Sequence, residues 1–151
     1  MCQGAEDVEM ARVNLTINDN LFEKIQSESE ERGVSANNLI YNIIVKHFDD
    51  TGFDLLDEFE NMKKEAKEKA KETNGKFSYN DLPTYQNLEE KLGKSKYPES
   101  VKQVKIRLSM MFRESDCKTN DWIFSYNGKT TLIESKDKNI DEINRLLQYY
   151  D

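Results

Sequence analysis

The stretch Arg12-Val13-Asn14-Leu15-Thr16-Ile17 is the part of this sequence that says most about its fold. Polar and apolar residues alternate strictly along it, which is the period of a β-strand with one solvent-exposed face and one buried face. A strand without a neighbour makes no ladder hydrogen bonds, so the pattern predicts that two copies of the chain pair their strands. The solvent-exposed face carries Arg12, Asn14 and Thr16, whose side-chain types form hydrogen bonds with base edges in DNA.

Two short helical patterns follow this strand and are separated by a glycine. Asn18 or Asp19 can cap a first helix that runs to about Arg32, and Gly33 supplies the left-handed residue that ends it. Ser35 then caps a second helix. About forty residues with one strand bury too little surface to fold alone, so we expect two copies to pack four helices beneath an antiparallel ribbon. The apolar positions of the second helix are Leu39, Ile40, Ile43, Ile44 and Phe48.

Residues 12–50 resemble the ribbon-helix-helix domains of the Arc, MetJ and CopG superfamily, and the Arc-like members in particular. The resemblance implies that the outward strand residues Arg12, Asn14 and Thr16 enter the major groove of double-stranded DNA. It also implies that the N–H groups at the start of the second helix hold a phosphate. The runs that carry the resemblance are Val13-Asn14-Leu15, Gly33-x-Ser35-x-Asn37 and Ile40-Tyr41-Asn42, and the implied phosphate-binding residues are Ser35, Ala36 and Asn37.

The same resemblance implies an apolar dimer core. Arc-like domains bury an Arg–Glu–Arg triad, whereas the matching positions here are Val34, Leu39 and Ile43. This departure from the family pattern leaves the expected dimer interface without a buried glutamate whose protonation would weaken it. The full expected dimer core is Val13, Leu15, Ile17, Val34, Leu39 and Ile43.

The composition fits this small module plus one further domain. The chain has 151 residues and a net charge of −7, which by itself argues against a nucleic-acid partner. However, residues 1–10 carry three acids and no base, and residues 49–75 carry nine acids against five bases, so the acidity lies mainly outside the proposed DNA face. With no long apolar run and only two distant cysteines, we expect a cytoplasmic protein without a membrane partner.

We divide the sequence into four parts and expect a mixed α+β fold overall. Residues 1–10 are interpreted as a disordered lead-in, 11–50 as the ribbon-helix-helix domain, 51–75 as a helical connector and 76–151 as a winged-helix-like α+β domain. The connector reads as one helix over 53–72 that ends in a Glu- and Lys-rich stretch. We interpret it as a solvated spacer, whose first half could extend the dimer interface.

The C-terminal part shows the element order of a winged helix. A short strand at 76–79 precedes a helix around 82–92, and Glu99 or Ser100 opens a longer helix with an apolar face. Strands at 122–126 and 129–133 flank Asn127-Gly128, a strong hairpin signal, and a closing helix follows over about 140–149. Residues 77–83 and 106–112 also resemble a small uncharacterised domain common on plasmids of Gram-positive bacteria.

Basic residues concentrate around the proposed last helix of this winged helix. The stretch 91–113 carries seven bases and only one acid, Glu99. The sequence leaves open whether this helix contacts DNA or is a solvated surface of a domain that binds a protein partner. The expected second DNA surface is Lys102, Lys105, Ser109, Arg113 and Lys129.

No catalytic, metal-binding or cofactor-binding pattern is recognisable. Gly128-Lys129-Thr130 resembles the end of a phosphate-binding loop, but Ile123 stands where that motif needs glycine. His47 is the only histidine, so neither a zinc site nor a Cys–His pair is indicated. We therefore expect binding without chemistry and no cofactor.

The function we expect is that of a sequence-specific DNA-binding homodimer acting as a transcriptional repressor, often of its own operon. Two dimers could stack on one operator. One alternative is a relaxosome accessory or plasmid-maintenance protein that binds an origin. The second alternative is an antitoxin, whose C-terminal part would neutralise a toxin and would be disordered alone.

Overall fold

The computed structural model describes residues 11–49, 51–72, 75–92 and 97–136. The predicted lead-in and the closing helix over 140–149 lie outside these residues. The described part is mixed α+β, with five helices and one three-stranded antiparallel sheet. The elements are α1 (Asp19–Arg32), α2 (Ala36–Phe48), α3 (Leu55–Glu72), β1 (Lys76–Ser78), a 3-10 turn (Tyr79–Asp81), α4 (Pro83–Leu92), α5 (Val101–Thr119), β2 (Trp122–Tyr126) and β3 (Thr131–Ser135).

The helix boundaries follow the local signals in the sequence. Asn18 caps α1 by accepting a hydrogen bond from the Asn20 N–H at 2.8 Å. Gly33 ends α1 in the left-handed conformation, with φ 70° and ψ 30°. The Ser100 hydroxyl accepts from the Gln103 N–H, and the Gln103 side chain accepts from the Ser100 N–H in return. These predicted helix ends are confirmed.

Helix α3, expected to be a connector, packs one face into the core of the C-terminal part. Phe59 and Met62 are fully buried, and the helix contacts α4, α5 and β1. Asp54 caps it by accepting from the N–H groups of Leu56 and Asp57. The apolar stripe read from the sequence is therefore confirmed, but it faces the chain's own core. The buried residues of α3 are Leu55, Leu56, Glu58, Phe59, Met62 and Ala66.

The sheet has the strand order β1-β3-β2, so the last strand lies in the middle. Ile133 on β3 is fully buried and pairs with Phe77 on β1 and Phe124 on β2. The hairpin differs from the expected two-residue loop, because Tyr126 pairs with Thr131 and residues 127–130 form the connection. The Asn127 side chain stabilises this longer loop by accepting from the N–H groups of residues 129 and 130.

Helix α5 rests on this sheet and on α4 through the apolar face that its sequence predicts. The Tyr85 hydroxyl on α4 donates to the Lys105 carbonyl oxygen at 2.6 Å, and burial raises the pKa of Tyr85. Phe112 lies between Trp122 and Phe124, with ring centroids 5.7 Å and 6.0 Å away. The fully or nearly buried residues of α5 are Val104, Leu108, Met111 and Phe112.

Candidate nucleic-acid interface

The segment before α1 is exposed and has no regular secondary structure in the single chain. Arg12, Asn14 and Thr16 are all exposed, as their proposed role requires. Val13 and Leu15 are 73% and 62% exposed, which is unusual for large aliphatic side chains. The expected strand is thus not formed here, and its formation on pairing with a second copy stays a prediction.

Further large hydrophobic side chains are exposed on α1 and α2. Phe48 at the end of α2 is 73% exposed, and Ile43 is 53% exposed. We call this set the N-terminal apolar face, since seven of the large exposed hydrophobic residues of the described chain lie within residues 13–48. Its members are Val13, Leu15, Leu21, Phe22, Ile43, Ile44 and Phe48.

Part of the expected dimer core needs correction. Val34 and Leu39 are buried, at 8% and 3% exposure, within the same cluster as the α3 and α5 core residues. They are covered by the chain's own C-terminal part, because the end of α1 and the start of α2 pack against it. Ile17 is half-buried, so only Val13, Leu15 and Ile43 of the expected core remain largely open to a partner.

The start of α2 has the geometry expected for a phosphate-binding helix end. The Ser35 hydroxyl accepts from the Asn38 N–H at 3.1 Å, which satisfies one terminal donor. The N–H groups of Ala36 and Asn37 find no acceptor in the described part of the chain. Two backbone donors at the positive end of the helix dipole are therefore left for an anion. Glu114 on α5 lies nearby, where it accepts from the Asn38 side chain at 3.4 Å.

Charged side chains connect the N-terminal module, residues 11–49, to α5 and to α3. Arg107 on α5 donates to both carboxylate oxygens of Glu99, at 3.1 Å and 2.9 Å, and its guanidinium lies 3.9 Å from the centre of the Tyr41 ring. Burial alone lowers the pKa of Arg107, but the bonds to Glu99 outweigh it and the pKa lies above its usual value. On the other side, Arg32 reaches Asp57 and Glu60 at 3.0 Å.

Helix α2 is also tied directly to the cap of α3. Lys46 contacts the Asp54 carboxylate at 2.8 Å, and the Asn42 amide donates to the same group at 3.3 Å. Burial alone would raise the pKa of Asp54, but Lys46 and the donated hydrogen bonds hold it below its usual value. The carboxylate therefore remains charged in the folded chain near neutral pH and joins the two helices.

The expected second DNA surface is only partly available. Lys102, Arg113 and Lys129 are exposed, whereas Lys105 and Ser109 are half-buried. The Ser109 hydroxyl donates to the Ile106 carbonyl oxygen, as is common within helices. The Arg113 guanidinium lies 4.9 Å from the centre of the Phe124 ring, which places it between α5 and the hairpin.

The basic character of the stretch 91–113 is weaker than its sequence indicates. Arg107 is neutralised by Glu99, and Lys91 contacts Glu58 at 2.6 Å. Sequence reasoning also missed Ile106 and Met110, which are 50% and 58% exposed on the outer side of α5. Their spacing of four residues was a signal, because it puts them together outside the apolar face of the helix.

Nothing in the described residues suggests a metal or membrane site. No group of three or more His, Cys, Asp or Glu in that part of the chain could hold a metal ion. His47 is exposed and lies edge-on to Phe48, with ring centroids 4.9 Å apart. Among the helices described, none has the length and apolar character needed to cross a membrane. Comparison with family models, curated proteins and solved structures gives no match to this chain.

Proposed function

We propose that the protein is a sequence-specific DNA-binding homodimer of ribbon-helix-helix type that acts as a transcriptional repressor. The observation that carries the proposal is the alternating segment 12–17, in which residues 12–16 are exposed and Val13 and Leu15 belong to the N-terminal apolar face. Pairing with a second copy gives the strand its missing hydrogen bonds and turns Val13 and Leu15 inward. The same step turns Arg12 and Asn14 outward together.

The size of the N-terminal apolar face supports a second copy as its occupant. Burying one large hydrophobic side chain completely contributes about 1.5–3 kcal/mol. With seven such residues per copy, each roughly half exposed, covering both faces contributes on the order of 10 kcal/mol. Association costs about 4–15 kcal/mol, so the two terms are comparable and the ribbon hydrogen bonds favour the dimer.

In the proposed complex the ribbon lies in the major groove, with Arg12, Asn14 and Thr16 facing the bases. The N–H groups of Ala36 and Asn37, beside Ser35, contact a phosphate on each side and fix the register of the dimer. Because residues 11–48 carry few positive charges, we expect modest affinity that falls steeply with salt.

The C-terminal part is proposed to act as a winged helix that adds affinity. The order α3, β1, α4, α5, β2, β3 with the sheet order β1-β3-β2 supports this, since it places a long helix beside a hairpin. Lys102 and Arg113 on α5 would contact DNA, and Lys129 in the hairpin loop would contact the backbone. The packed core of this part also counts against the antitoxin alternative, for which a tail disordered alone is expected.

The test is to incubate the purified protein with sheared DNA from its source replicon and to sequence the fragments retained at moderate salt. We expect a short repeated site at the protein's own promoter, whereas enrichment at a replication or transfer origin would favour the accessory-factor alternative. Absence of any enriched site would contradict the proposal.

A pair of variants then tests whether the segment 12–17 contacts the DNA bases. Asn14→Ala should lose about 1–3 kcal/mol of discrimination per base contact, measured as the affinity ratio between the enriched site and a mismatched one. Asn61→Ala, which alters an exposed asparagine on α3, should leave that ratio unchanged. Equal ratios for the two variants would contradict the role of residues 12–16 in reading bases.

A further inference from the structure

A cleft with a volume of about 480 Å³ lies between the α1–α2 turn and the C-terminal part. This volume is within the range of small-molecule sites, about 300–1,000 Å³. One wall is the turn at Gly33, and the facing walls come from α3 and α5. The lining residues that matter for its chemistry are Gly33, Lys63, Lys67, Ser115, Thr119 and Trp122.

Lys63 is the unusual group in this cleft. Burial lowers its pKa, and its ammonium forms no ion pair with any of the described residues. The Lys63 nitrogen lies 4.7 Å from the centre of the Phe59 ring, and the negative charge of Glu60 offsets part of the effect of burial on the Lys63 pKa. A partly desolvated cation without a counter-ion is unfavourable, and an anion placed beside it restores the lost interaction.

No carboxylate among the described residues of the cleft forms an ion pair with Lys63. Glu60 is engaged by Arg32 at 3.0 Å, and one Asp116 oxygen accepts from the backbone N–H groups of residues 121 and 122. Glu31 and Asp121 also line the cleft and would oppose a second negative charge. Because these two carboxylates stand against the positive charge of the lysines, the cleft favours a ligand with a single negative charge over a phosphate dianion.

We propose that the cleft binds a small organic monoanion, with its carboxylate on Lys63 and a flat apolar body beside Trp122. Lys67 lies one turn further along α3 and adds a second positive charge at the mouth. The Ser115 hydroxyl on α5 provides a hydrogen-bonding group opposite the lysines, whereas the Thr119 hydroxyl already donates to the Asp116 carboxylate at 3.4 Å. The methylene stems of the lysines and the indole edge supply the apolar contact.

The position of the site couples it to the DNA-binding module, and this part of the inference rests on the proposed function. A side-chain carbon at Gly33 would lie 3.2 Å from the Lys63 nitrogen, so the ammonium touches the turn between α1 and α2. That turn sets the position of Ser35 and of the N–H groups that would hold a phosphate. A ligand on Lys63 therefore changes DNA affinity, and DNA changes ligand affinity by the same factor.

The binding step is tested with benzoate as the probe and the fluorescence of Trp122 as the readout. Trp122 is the only tryptophan of the chain and lines the cleft, so all tryptophan emission comes from its wall. We expect a saturable change with benzoate at constant ionic strength and none with benzamide, which has the same shape without the charge. Equal responses to the two compounds, or no response to benzoate, would overturn the proposal.

Two lysine variants locate the site. Lys63→Gln should weaken benzoate binding on the order of tenfold, because a charge-assisted hydrogen bond is lost. Lys71→Gln, which changes an exposed lysine of α3 outside the cleft, should leave it unchanged. Unaltered binding by Lys63→Gln, with native circular dichroism, would overturn the proposal.

A final titration separates the site from its coupling to DNA. Benzoate is added to the protein on its enriched DNA fragment, and the retained fraction is followed for the parent and for Lys63→Gln. If benzoate changes the retained fraction of DNA for the parent but not for Lys63→Gln, the result supports the coupling. A fluorescence response without any change in retention would leave the ligand site in place and contradict the coupling. If Lys63→Gln weakened DNA retention while benzoate gave no response, the lysines would belong to a DNA-backbone contact and the proposal would be wrong.

Discussion

Replacing Arg107 by methionine should destabilise the chain, because Arg107 holds buried Glu99 and contacts the Tyr41 ring of the N-terminal module. The Glu99 side chain is only 8% exposed, so losing both guanidinium bonds leaves its carboxylate buried without that partner. Breaking a fully buried pair costs about 3–5 kcal/mol. Because Arg107 is 23% exposed, we expect a smaller value of about 2–3 kcal/mol. The lost contact with the Tyr41 ring adds about 0.5–1 kcal/mol.

The assay is urea unfolding at neutral pH, with the free energy of unfolding compared among five proteins: the parent, the single variants Arg107→Met, Glu99→Gln and Lys118→Met, and one double variant. The matched control is Lys118→Met, which removes an exposed cation from the same helix and should cost less than about 0.5 kcal/mol. In the double variant Arg107→Met, Glu99→Gln the buried charge is gone, so its loss should be smaller than the sum of the two single losses. Equal stability of Arg107→Met and Lys118→Met, or strict additivity in the double variant, would refute this explanation.

Two further predictions concern the cap of α3 and the N-terminal apolar face. Asp54→Ala should lower the free energy of unfolding by about 1–2 kcal/mol at neutral pH, since the cap and the contact with Lys46 are both lost. Because the pKa of Asp54 lies below its usual value of 3.8 in the folded chain, its contribution is complete above that pH and lost as the pH falls below it. The difference from the parent should therefore narrow in acid, and a constant difference down to pH 2 would contradict the role of the charge. Leu15→Lys should shift the protein to a monomer in sedimentation, whereas Ile106→Lys, at a residue that is also exposed but lies on α5, should leave the dimer intact.

The elements that depend on local chemistry could be predicted from the sequence. The Asn18 and Ser100 caps and the left-handed Gly33 are determined by residues within one turn of the helix end. For the same reason the apolar face of α5 could be read from its spacing. The hairpin was predicted, but its loop was not, because the Asn127 side chain can cap a longer turn that competes with the two-residue one.

What covers an apolar face could not be predicted, since that depends on residues distant in the sequence. The stripe on α3 is visible in the sequence, yet nothing local says whether Phe59 faces a second copy or the chain's own core. Val34 and Leu39 were assigned to the dimer by resemblance, and the C-terminal part covers them instead. Arg107 was likewise counted among the basic residues of the stretch 91–113, and its contact with Tyr41 could not be foreseen because it spans 66 positions of the chain.

The most direct test of the central claim is amide hydrogen exchange of residues 12–17, measured in the dilute and the concentrated protein. We predict that alternate amides in this segment become protected as the dimer forms, because each strand then donates to its neighbour. In Leu15→Lys the same amides should exchange rapidly at every concentration. Rapid exchange of all six residues in a protein shown by sedimentation to be dimeric would mean that the copies join elsewhere, and it would contradict the paired strand on which the proposed DNA binding depends.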